Sequence, residues 1–128
     1  MPVKQSKLQA AEIRVLRLIM GVTKHDRMKN THIQSTLGVE PLILEIEKSM
    51  LRWFGHVKRM PPTREVKNML EWWPQGRRPR GRPIRRWLDG VAEVLHRNGA
   101  SPRDTEEMCQ DRTRWRRFVR DISTDRPT

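Results

Sequence analysis

Six arginines fall within ten residues of this 128-residue chain, and their spacing points most directly to chemistry. The same stretch carries Pro79, Gly81 and Pro83, which disfavour a helix interior or a central strand, so an extended loop is predicted. Arginines that neutralise phosphates release condensed counterions, so a dense positive charge on an extended backbone suits a polyanion. The candidate phosphate-binding side chains are those of Arg77, Arg78, Arg80, Arg82, Arg85 and Arg86.

The positive charge of the chain is concentrated around this loop. Residues 52–86 hold 11 basic and two acidic residues, a net charge of +9, whereas the other 93 residues carry a net charge of only +3. This asymmetry favours nucleic acid as the partner, although a solvated basic linker is the alternative. The predicted footprint extends to five further cations, Arg52, Lys58, Arg59, Arg64 and Lys67.

Five tryptophans accompany the basic residues. Trp53, Trp73, Trp87 and Trp115 occupy positions on apolar helix faces, so we expect them in the core. Trp72 lies beside such a face, just before the basic loop, where an aromatic ring can stack on a base or cover the edge of a core.

No catalytic constellation is predicted. The six aspartates are scattered, and Glu106 and Glu107 are consecutive and face different directions on a helix, so no carboxylate cluster for divalent cations is expected. The four histidines and the single cysteine, Cys109, lack metal-ligand spacing, and Cys109 is expected to be a small buried hydrophobe. The predictions are therefore no enzyme, no metal and no cofactor.

The compartment is predicted by elimination. One cysteine allows no intrachain disulfide, the first residues lack an apolar signal core, and no apolar run approaches the length of a membrane span. We therefore expect no membrane partner and a nuclear or cytoplasmic location, with the nucleus favoured.

Apolar residues recur at helical spacing throughout, and no segment alternates with the period of a strand. The pattern predicts an all-α chain of about six short-to-medium helices in two parts, joined by an Arg/Pro/Gly-rich basic loop. The expected parts are residues 6–73, the linker 74–83, a helical hairpin at 84–122 with a break near Asp111, and a frayed tail at 123–128. Within the first part, a capping box at Thr31 should open a short helix, and Pro41 should begin a long one.

The first helix, ending at Met20, carries an apolar stripe that must be buried against later helices or against a partner. The stripe consists of Leu8, Ala11, Val15, Leu18 and Ile19.

Two resemblances refine the expected function. The core of the arginine loop, residues 79–83, resembles the AT-hook of chromatin proteins, which implies that Gly81 lets the backbone approach a narrow A·T minor groove between Arg80 and Arg82. Over about residues 8–119 the chain also resembles the C-terminal region of non-LTR (LINE-type) retrotransposon polyproteins. Its signatures are LRWFGHV at 51–57 with RM at 59–60, GRP at 81–83 with RW at 86–87, DRTRWR at 111–116, and, before these, residues 13–17, 21–23 and 37–40.

The second resemblance implies a parent protein with an apurinic-type endonuclease and a reverse transcriptase ahead of this region. The polymerase motif, an aromatic residue followed by Ala-Asp-Asp, is absent, so no catalytic residue is carried over. The first helices would be thumb-like and would contact the polymerase portion, and the basic remainder would contact template RNA or target DNA. The alternatives are a stand-alone AT-hook-like DNA-binding protein and a helical protein-interaction module with a solvated basic linker.

Overall fold

The computed structural model describes residues 3–77, 80–81 and 86–123, with side chains from Gln5 onward. These residues form seven α-helices and a single 3₁₀ turn at Lys24–Asp26, and they contain no strand. The helices are α1 (Val3–Met20), α2 (Asn30–Leu37), α3 (Leu42–Lys58), α4 (Glu65–Glu71), α5 (Trp87–Arg97), α6 (Pro102–Gln110) and α7 (Arg112–Arg120). The all-α prediction is confirmed, and the described part of the chain exceeds the expected six helices by one.

The chain folds as two compact units, Met1–Ile46 and Glu47–Thr128, and the division falls within α3. Within the second unit, residues on either side of the arginine loop contact each other. Trp53 of α3 contacts Trp87 of α5 with ring centroids 5.0 Å apart, and Trp115 of α7 hydrogen-bonds to the backbone of α3.

In the first unit, α1 packs against α2. Arg17 of α1 donates hydrogen bonds to the Met28 carbonyl (2.9 Å) and to Asn30 Oδ1 (3.0 Å). The predicted capping box at Thr31 is wrong, because α2 begins at Asn30, with Lys29 as its N-cap. The residues at the start of α2 are thus contacted by Arg17 of α1, whereas the sequence suggested that a local side chain would cap this helix.

The apolar stripe of α1 is exposed in the structure. Leu18 is 76% and Ile19 66% exposed, and Leu8 and Val15 are also exposed, whereas Leu16 is buried. The structure therefore does not bury this stripe against later helices, which was the first of the two expectations.

The second unit is built around the crossing of α7 and α3. Trp115 Nε1 donates a hydrogen bond to the Leu51 carbonyl (2.9 Å), and its ring lies directly against Gly55. Glu47, which is buried, forms an ion pair with Arg97, and Arg97 also donates to the Ser123 carbonyl (3.1 Å). The side chains that fill this core are Leu51, Phe54, Val57, Val91, Val94, Leu95, Met108, Cys109, Trp115, Val119 and Ile122.

Candidate nucleic-acid interface

The arginine loop begins at Arg77, six residues after α4 ends, and two of its described cations are exposed. Arg77 and Arg80 both project into solvent. Gly81 has a φ of 144°, a backbone conformation that a residue with a side chain rarely adopts, so a glycine suits this position. Arg78, Arg82 and Arg85 lie outside the described residues.

Arg86, which closes the loop, is engaged by the protein itself. Its guanidinium donates to the carbonyls of Trp72 (2.8 Å) and Leu70 (3.3 Å), and it stacks over the Trp73 ring with its central carbon 4.6 Å from the centroid. Asp89 accepts a hydrogen bond from the Arg86 backbone (2.8 Å) at the start of α5. Arg86 therefore ties the end of α4 to the beginning of α5.

Two cations of the predicted footprint cover the carboxyl ends of helices. Lys67 donates to the carbonyls of Lys58 and Met60, each at 3.1 Å, and Arg59 donates to the carbonyl of Cys109 (3.1 Å). The last carbonyls of a helix lack partners within the helix and carry its negative dipole end, so a cation stabilises them.

The other three footprint cations differ in their surroundings. Lys58 is largely buried and lies 3.4 Å from a Glu71 carboxylate oxygen and 3.7 Å from one of Glu106. Arg64 is exposed, and so is Arg52, which donates to Ser49 Oγ (3.4 Å). Lys58, Arg59 and Lys67 are thus engaged by carboxylates or carbonyls of the protein itself.

A groove lined by tryptophans lies beside the loop. It has a volume of about 870 Å³, and its walls come from α3, α4, the segment after α4, and the start of α5. Residues that define it are Met50, Trp53, Met69, Trp72, Arg86 and Trp87. We call it the tryptophan groove.

The expectation that Trp53, Trp73 and Trp87 are core residues is wrong, because they are 46%, 59% and 40% exposed. Trp115, at 2%, is the core residue that was expected. Trp72 is 64% exposed, as a stacking residue requires. Periodic spacing identifies which side of a helix is apolar, but not whether another element covers it. The sequence feature that could have indicated the groove is the presence of Trp53, Trp72 and Trp87 within or next to the basic stretch 52–86.

The described residues hold one buried thiol and no group of metal ligands. Among them, no three His, Cys, Asp or Glu side chains come together as a metal site would require. Cys109 is buried, as predicted, and burial raises the pKa of its thiol to about 11, with the charge of Glu106 adding to this effect. No helix in the described ranges is both long and apolar enough to cross a bilayer.

Comparison with known proteins gave no match, whether to protein-family models, to curated proteins or to solved structures.

Proposed function

We propose that this chain is a non-catalytic nucleic-acid-binding region of a LINE-type retrotransposon reverse transcriptase and contacts template RNA or target DNA through its arginine loop. The observation that carries the proposal is the exposure of Arg77 and Arg80 within a stretch of net charge +9. Exposed arginines on a loop can reach phosphates without leaving a helix end or a carboxylate unpaired. The ordered signatures at 51–60, 81–87 and 111–116 support the family. The polymerase portion of a parent protein would be a second partner. The expected location is the nucleus or the cytoplasm.

The test is the salt dependence of binding. For duplex DNA, the logarithm of affinity falls against the logarithm of salt with a slope of about −0.9 for each phosphate neutralised. Replacing Arg77 and Arg80 by Ala should therefore make the slope shallower by about 1.8. Affinity is measured by fluorescence anisotropy of labelled duplex DNA and structured RNA over a range of salt concentrations.

A matched control removes two other arginines. Arg103 and Arg120 are exposed but lie 3.5 Å from Glu107 and 3.0 Å from Asp121, so their charges already have carboxylate partners. The Arg103→Ala/Arg120→Ala variant has the same net charge as the loop variant and should keep the wild-type slope. Equal slopes for all three proteins would favour the interaction module with a solvated linker.

The AT-hook alternative makes a separate demand. If Arg80 and Arg82 lie in a narrow groove, A·T duplex should bind more tightly than G·C duplex, and replacing both by Ala should remove the difference. Equal affinity of the wild-type protein for the two duplexes would discard the hook and leave the general phosphate-binding proposal in place.

A further inference from the structure

The tryptophan groove combines exposed aromatic surface with few polar groups. Its volume of about 870 Å³ falls within the roughly 300–1,000 Å³ typical of ligand pockets, whose walls are mainly apolar with a few placed polar groups. Here the polar groups are Ser49 and Arg86, and the rest of the lining is aromatic, Met, Val, Leu and Pro. Three tryptophans of the lining, Trp53, Trp72 and Trp87, expose indole surface to water, and core packing does not explain this exposure.

The walls of the groove are held by defined contacts. Trp53 and Trp87 meet edge to face, with centroids 5.0 Å apart and planes at 86°, an arrangement that aromatic pairs prefer. In the segment after α4, the Trp72 carbonyl accepts a hydrogen bond from Arg86, whose guanidinium also stacks on Trp73. The backbone at Trp72 is therefore fixed while its ring remains exposed, so little order would be lost on stacking.

Charge complementarity indicates what occupies the groove. Pro74 lines the groove, Arg77 follows it by three residues and Arg80 by six, and both arginines are exposed. Because an extended chain spans at most about 3.6 Å per residue, Arg77 lies within about 11 Å of Pro74 and Arg80 within about 22 Å. The occupant should therefore present a flat apolar face and carry anionic groups within reach of these arginines, as a single-stranded nucleic acid does.

We propose that the tryptophan groove holds an unpaired base of a single-stranded nucleic acid, stacked on Trp72, while Arg77 and Arg80 contact the flanking phosphates. This inference rests on the proposed function and adds to it a preference for unpaired over paired strands. A duplex keeps its bases stacked on one another, so it engages the arginines but not the groove.

The experiment compares affinities of the full chain for an oligoadenylate strand and for the same strand annealed to its complement, each prepared as DNA and as RNA. Trp72→Ala should weaken single-strand binding by about 5- to 150-fold and leave duplex binding and the salt slope unchanged. Trp72→Phe keeps an aromatic face and should retain most of the affinity. Quenching of tryptophan emission by the bound strand should diminish in Trp72→Ala.

Trp73→Phe is the control, because Trp73 adjoins Trp72 and is exposed to a similar extent, and a phenyl ring keeps an aromatic face for the Arg86 guanidinium. It should leave single-strand affinity near that of the wild type. A loss in Trp73→Phe equal to that in Trp72→Ala, or equal losses on duplex and single strand, would overturn the groove assignment.

The two proposals fail in distinguishable ways. Wild-type protein that binds neither form of nucleic acid would remove the proposed function together with the groove. Binding that depends on Arg77 and Arg80 but is insensitive to Trp72→Ala would remove the groove alone. A preference for the RNA or the DNA strand would identify which of the two the groove accepts.

Discussion

Gly55 is the residue of α3 against which the Trp115 ring of α7 packs directly. The indole of Trp115 lies on the surface that this glycine leaves open, and its Nε1 reaches the Leu51 carbonyl one helical turn away. From the sequence, a glycine at this position only weakens a helix. The structure gives it a second role, because a glycine costs helix stability but admits a large ring at the crossing.

We expect Gly55→Ala to destabilise the protein. A methyl group at this position would overlap the Trp115 ring, and such overpacking costs about 1–3 kcal/mol. This cost exceeds the gain of about 1 kcal/mol that alanine brings to a helix interior. Urea denaturation followed by circular dichroism measures the free energy of unfolding.

His56→Ala provides the control for this substitution, because His56 adjoins Gly55 on the same helix and its side chain is exposed. Its unfolding midpoint should stay near that of the wild type. A Gly55→Ala protein as stable as the wild type would mean that the two helices can move apart at no cost.

Asp111 divides the last helical run into α6 and α7. It follows the last residue of α6, and its Oδ1 accepts hydrogen bonds from the backbone of Thr113 (3.0 Å) and Arg114 (3.2 Å) at the start of α7. The carboxylate thus satisfies backbone donors that have no partner within the helix. Because of this break, α6 and α7 are separate helices, and they contact each other.

Asp111→Ala should lower the free energy of unfolding by about 1 kcal/mol, the usual loss when an N-cap side chain is removed. Asp111→Asn keeps an oxygen acceptor, so its unfolding midpoint should lie close to that of the wild type. Thermal and urea unfolding of the three proteins makes the comparison. Equal stability of Asp111→Ala and the wild type would show that other contacts alone hold the start of α7.

The sequence predicted helix boundaries correctly where neighbouring residues determine them. The break near Asp111 was expected and is confirmed, as is the long helix after Pro41, which runs from Leu42 to Lys58. The start of α2 was missed because the residues there are held by Arg17, which lies 13 positions before Asn30. The tryptophan groove was missed for the same reason, since it depends on how α3, α4 and α5 come together.

The second unit has a core of its own. Its largest fully buried side chains, Leu51, Val57, Val91 and Cys109, all come from within Glu47–Thr128. Residues 1–46, in contrast, carry the exposed stripe of α1 and are close to the length below which chains need additional support to fold.

We therefore expect residues 41–128, which retain the whole of α3, to fold without the preceding part. The truncated chain should show a helical circular dichroism spectrum and a cooperative unfolding transition. Residues 1–40 alone should show little helix under the same conditions. A truncated 41–128 chain that unfolds without cooperativity would contradict the independence of this core.

The geometry at Arg86 has a consequence for which basic residues can replace one another. A planar guanidinium is needed to reach two carbonyls and lie flat on an indole, so Lys is a poor substitute at Arg86. At Arg77, which is exposed on the loop, Lys would supply the same charge to a phosphate. Variation among natural sequences should therefore exchange Arg and Lys freely at Arg77 and retain Arg at Arg86, although the two positions look alike in the chain.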